Sequence, residues 1–212
     1  MMTYPNAAAG LKTVYQARLV GLISIVLVIV PIVQVLAVAA MLIAGFLALV
    51  GLAQCRKDDK GYRTAFNMVI AGLVTNLAAS LVSAYAGAEG FAGICSNILS
   101  IATDVLSLAS LYFVCITTNK LLKNIGADGR ITDRGVVVWK INVICTIVEV
   151  VCTLLALIPS ASLQLLATVV TLVTAIAQIV GSILYILYLR DATTALKSIG
   201  GPAADVYVGP EL

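Results

Sequence analysis

The sequence predicts an all-α integral membrane protein of six transmembrane helices, paired as three helical hairpins, with both termini on the cytoplasmic side. Three observations carry this expectation. Only 11% of the 212 residues are charged and 61% are hydrophobic, with a mean hydropathy of +1.09, whereas a water-soluble domain carries roughly a quarter charged residues. Long apolar stretches fill residues 19–53, 65–88, 91–117, 136–159 and 163–189, and a spanning helix takes about 20 such residues. Once the first stretch is divided in two, every Lys and Arg falls on one face of the membrane.

The segment before helix 1 is mostly small or polar, with Lys12 its only charge before Arg18. It lacks the basic, apolar and cleavable order of a secretory signal, so the mature protein is expected to keep it. Residues 19–53 are too many for one span and break at residues 31–34, where Pro31 interrupts the helix by removing a backbone donor. The competing reading is one bent, continuous helix.

Charge placement decides between them. Lys12 and Arg18 precede helix 1; Arg56, Lys57, Lys60 and Arg63 follow helix 2; Lys120, Lys123, Arg130, Arg134 and Lys140 lie between helices 4 and 5; Arg190 and Lys197 follow helix 6. The opposite face holds turns near Pro31, at residues 86–90 and at residues 159–162, and Glu89 is its only charge. This is a complete positive-inside pattern; a single long first helix would set Lys12 and Arg18 opposite the Arg56 group.

The chain therefore reads as one transmembrane domain over residues 1–212, with hairpins at about 15–55, 63–125 and 134–199 and a flexible tail at 200–212. Helices 4 and 6 outrun the bilayer and extend into the cytoplasm. Residues 117–126 (TTNKLLKNIG) resemble residues 193–200 (TTALKSIG), and each ends in a glycine, Gly126 or Gly200, suited to a helix C-cap. The likeness belongs to a weak internal repeat of helices 3 and 4 onto 5 and 6, which sets Phe66 on Trp139, Asn76 on Glu149 and Asp104 on Gln178. Such a repeat would run about an axis along the membrane normal; chance alignment of apolar helices is the alternative.

Four strongly polar side chains fall near the middle of the last four helices: Asn76, Asp104, Glu149 and Gln178. A carboxylate at mid-membrane costs at least a few kcal/mol when charged and is expected to face the bundle interior. Helical spacing groups Asn97, Ser100, Asp104 and Ser107 on one face, and Asn142, Thr146, Glu149 and Thr153 on another. Gly72, Asn76, Ser80 and Ser83 form a third seam, and Thr171, Thr174, Gln178 and Gly181 a fourth. No Lys or Arg is expected at that depth, so at least one of the two acids should carry its proton. One reading is a proton or small-cation site in which Asp104 and Glu149 supply charge and Asn76 and Gln178 neutral oxygens. The other is that these groups hydrogen-bond the helices together, at around 1 kcal/mol or less per contact.

Ala40, Ala44 and Ala48, with Gly45 and Gly51 close by, make a small-residue stripe on helix 2 that lets helix backbones approach, within the chain or in a homo-oligomer. The five cysteines form no C-x-x-C pair, and the chain has no histidine, so no metal, cofactor or His-based catalysis is indicated and no enzyme is expected. The Arg56–Arg63 connector mixes both charge signs and reads as a solvated connector. A formal net charge of +3 without a basic patch gives no argument for nucleic acid.

The segments Gly21-Leu22-Ile23-Ser24, Pro31-Ile32-Val33, Leu49-Val50-Gly51-Leu52 and residues 60–66 (KGYRTAF) resemble small prokaryotic polytopic membrane proteins of an uncharacterised, domain-of-unknown-function family. The resemblance implies a compact multi-helix bundle and transfers no activity. The leading expectation is a non-enzymatic structural, assembly or partner-binding component of the cytoplasmic membrane, with the lipid bilayer and a homo-oligomer or membrane protein as partners. The competing expectation is a proton or small-cation channel or transporter.

Overall fold

The structure, a computed structural model, describes residues 4–28, 34–86, 90–156 and 161–200. All regular structure there is helical: α1 (Pro5–Val28), α2 (Gln34–Cys55), α3 (Lys60–Ala86), α4 (Gly90–Asn124), α5 (Gly129–Ala156) and α6 (Ala161–Gly200). The expected break at Pro31, the loop carrying Glu89, the turn at Pro159 and the tail from residue 201 lie outside the described residues.

Five of these helices, α2 to α6, are long and apolar enough to cross a membrane. Their large apolar side chains point outward on every one of them: Val35 and Phe46 on α2, Leu77 on α3, Ile98 on α4, Ile144 on α5 and Leu172 on α6 are all exposed. Such continuous apolar surface is foreign to a water-soluble monomer and fits a lipid surround. α1, which carries Lys12, Thr13, Gln16 and Arg18, is not among the five. It begins at Pro5, well before the helix start expected near residue 15, so Lys12 and Arg18 ride on α1 instead of preceding it. Proline suits a first helical position, where its missing N–H leaves no bond unmade.

The six helices form a closed ring. Each packs against its sequence neighbours, and α6 closes against α1. Close backbone approach fixes the α1–α2 contact: a Cβ on Gly51 would stand 2.6 Å from the Gly10 carbonyl oxygen and 2.9 Å from the Val14 nitrogen. Further along, Gly21 faces Ala44. Ala44 and Gly51 of the small-residue stripe thus meet α1 of the same chain, while Gly45 stays exposed.

Helix ends are set by the short connectors. Asp59 accepts the Gly61 N–H at 2.8 Å and caps α3, and Asp128 accepts the Arg130 N–H at 3.0 Å and caps α5. Asp58 reaches across to α1, accepting the Ala7 N–H and the Asn6 amide, both at 2.7 Å. The Arg56–Arg63 connector is therefore not merely solvated; its two acids hold helix starts. α4 ends as expected at Gly126, with φ of 70°. There Gly126 N–H donates to Lys123 O and Ala127 N–H to Leu122 O, the paired bonds of a Schellman cap.

The packed core lies wholly at the basic end of the ring. Leu11, Cys55, Tyr62, Leu122, Val138, Tyr188, Leu189 and Ala192 are buried there together. Buried polar pairs tie it across helices: Tyr62 Oη with Thr118 Oγ1 at 2.8 Å, and Tyr188 Oη donating to Asn119 Oδ1 at 2.8 Å. Asn119 in turn donates to Thr132 O at 3.1 Å, and Arg134 pairs with Asp191.

Candidate functional site

Above that core the ring is hollow. A cavity of about 580 Å³ runs inside it, with lining contributed by all six helices. Its floor is the core itself, since Val14, Leu52, Leu111, Val114 and Tyr185 belong to both.

The walls follow from helical periodicity. On α4, Asp104, Ser107 and Leu111 recur three and four positions apart and face inward; on α5, Asn142, Thr146 and Glu149 do the same; on α6, Gln178, Ser182 and Tyr185. α3 contributes Gly72 and Asn76, and α2 contributes Ala44, Gly45 and Ala48. The wall is thinnest between α2 and α3, the least tightly packed neighbours around the ring. Met41 and Leu73, which line the cavity from those two helices, are both exposed, and a Cβ on Gly45 would meet nothing within 4 Å.

All four candidate residues, Asn76, Asp104, Glu149 and Gln178, line this one cavity. Asn76, Asp104, Glu149 and Gln178 enter it from α3, α4, α5 and α6 respectively. Their seams are only partly used. Gly72, Ser107, Asn142 and Thr146 join the lining, whereas Asn97, Ser100, Ser80, Ser83, Thr153, Thr171, Thr174 and Gly181 do not. Several of the hydroxyls are spent locally: Ser80 donates to Asn76 O, Thr153 to Glu149 O and Thr174 to Val170 O, each on its own helix. Ser83 instead meets Ser96 at 2.7 Å and links α3 to α4. Gly181 packs against Ile141 and Asn142 of α5.

One lining residue departs from the sequence expectation. Arg18, placed before the first helix by charge reading, lines the cavity from α1, with its guanidinium 5.3 Å from the centre of the Tyr185 ring, a cation–π distance. The cavity therefore does contain a cation. Pro5 as a first helical position was the signal that would have carried the helix back far enough to include Arg18.

Asp104 and Glu149 share the lining with amides and hydroxyls; no cluster of three or more His, Cys, Asp or Glu that could hold a metal occurs among the described residues. All five cysteines are free thiols. Such a lining can attract and solvate a cation, exchange protons with it, and accept hydrogen bonds from a polar solute. Compared with known proteins, the chain matches no family model, no curated protein and no solved structure, so the functional reading stands on this geometry.

Proposed function

We propose that this chain is a six-span, multi-pass protein of a prokaryotic cytoplasmic membrane, akin to the small polytopic proteins it resembles, and that its cavity carries protons or small cations across the bilayer. It works as a channel or transporter and not as an enzyme. The observation that carries the reading is the meeting of Asn76, Asp104, Glu149 and Gln178 on a single cavity of about 580 Å³. A dry hydrogen-bonded seam, as a purely structural role would need, leaves no such space between the polar groups.

Six spans in three hairpins, with both termini cytoplasmic, agree with the charge placement. Twelve of the 13 Lys and Arg, all but Arg18 in the cavity, lie toward the end of the bundle where α1, α3 and α5 begin and α2, α4 and α6 end, as the positive-inside rule requires of cytoplasmic ends. The pairing of α1 with α2 through Gly10 and Gly51, and again through Gly21 and Ala44, favours α1 as a sixth span. At about 1.5 Å per residue, the 35 residues of α4 and 40 of α6 reach well beyond ~30 Å of hydrocarbon, which supports cytoplasmic extensions.

Flux measurement tests the proposal. Purified protein in liposomes should dissipate proton or monovalent-cation gradients, and Asp104→Asn or Glu149→Gln should abolish the flux. Wild-type vesicles that stay silent to every such gradient would overturn it.

A further inference from the structure

The charges lining the cavity have two poles. Asp104 and Glu149 mark one level, near that of Gln178 by the helix register that the Tyr188–Cys115 and Gly181–Asn142 contacts set; Arg18 marks another, beside Tyr185. Gln178 and Tyr185 lie two turns apart on α6, a rise of about 10 Å at 1.5 Å per residue. Arg18 makes no ion pair among the described residues, while Arg134 and Lys120, both outside the cavity, are paired to Asp191 and Asp59. Its guanidinium lies over an aromatic face and lines the hollow, a contact that uses none of its N–H donors in a hydrogen bond.

Size points the same way. About 580 Å³ lies within the range of small-molecule sites, about 300–1,000 Å³, and is far more than a bare ion needs. Planar guanidinium suits a carboxylate, which it can grip through two parallel N–H bonds. The opposite pole, two carboxylates with amide oxygens beside them, suits an ammonium group with its three donors.

We propose that the solute this cavity accepts is a di- or tripeptide-sized zwitterion, lying along the ring axis with its carboxylate on Arg18 and its ammonium group between Asp104 and Glu149. The proposal rests on the permeation reading above and names its substrate class. An extended peptide spans about 3.5 Å per residue, so two or three residues bridge the two poles once the reach of the Arg18 side chain is included. Transport of such a solute would couple naturally to protons on the same two carboxylates.

Calorimetric binding to the purified full-length protein tests this with dialanine and trialanine, each also as its N-acetylated and its C-amidated form. At least one free peptide should bind, and blocking either end should weaken it ten-fold or more. Arg18→Gln should weaken the free peptide by a similar factor and remove the difference between free and amidated forms. Should that variant fail to fold, Arg18→Lys and the blocked peptides on wild type carry the test. Equal binding of free and blocked peptides, or no peptide binding at all, would overturn the inference. If carboxylate-dependent cation flux persists in that case, the permeation reading stands alone; if flux is absent as well, both fall.

Discussion

The two ends of the ring are built on opposite principles. At the basic end, side chains interlock as in a soluble core, with Tyr62, Leu122, Tyr188 and Leu189 almost wholly enclosed and buried hydroxyls paired across helices. Further along, the same helices separate around a hollow lined by polar groups, and their large apolar side chains turn outward. The difference teaches where stability and function reside. Burial in water drives packing only where water is the alternative; within lipid no such force closes a cavity, and polar groups inside it persist because lipid would be worse.

Two glycines of α2 offer the strongest test of that division. Gly51→Ala would drive a Cβ against backbone atoms of Gly10 and Val14, and the loss should reach the upper end of the about 1–3 kcal/mol typical of overpacking. Gly45→Ala, on the hollow side, meets nothing within 4 Å and should be neutral or gain up to about 1 kcal/mol from helix propensity. Thermal unfolding in detergent reads both. Equal destabilisation would mean that the two ends are packed alike.

A smaller effect separates the two kinds of polar group. Tyr62→Phe leaves Thr118 buried without its partner and should cost about 1–3 kcal/mol. Asp104→Asn and Glu149→Gln should leave unfolding temperatures unchanged or higher, since a neutral amide is less costly to hold in a membrane than a charge, while flux disappears. A marked stability loss in either cavity variant would reassign those carboxylates to the structural class.

The smallest expected effect is a pH dependence at the connector. Partial burial pushes the Asp59 carboxyl up, but its hydrogen bonds from Lys120 and the Gly61 N–H, together with the Lys120 charge, outweigh this and hold it below its ordinary value of 3.8. A group depressed in the folded state stabilises the fold above its unfolded value, and that contribution is lost as pH falls through the folded value. Because Lys120 is largely exposed, screening keeps the effect small. Acid titration of thermal stability from about pH 5 downward should be shallower in Asp59→Asn than in wild type. Identical acid limbs would mean that the Asp59 contacts with Lys120 and Gly61 add no stability.

Much of this was legible in advance, for identifiable reasons. The lining residues Asp104, Ser107, Asn142, Thr146, Glu149 and Gln178 share helix faces by spacing alone, and polar groups in lipid have one direction to turn. The Gly126 cap was equally legible, because a left-handed residue at a helix end favours glycine whatever surrounds it. Thr153, Thr174 and Ser80 were misleading. Their hydroxyls bond to their own helix backbone, a choice that periodicity does not register.

What the sequence alone determined is the helical state and the run of helices apolar enough to span a membrane, since these depend on composition summed along local stretches. Only the tertiary structure decided that Asp58 would cap a helix 51 residues away, that Arg18 would enter the cavity, and that polar seams would enclose space instead of meeting. Those outcomes turn on how closely whole helices approach one another, a property of paired surfaces that no single helix carries in its own pattern.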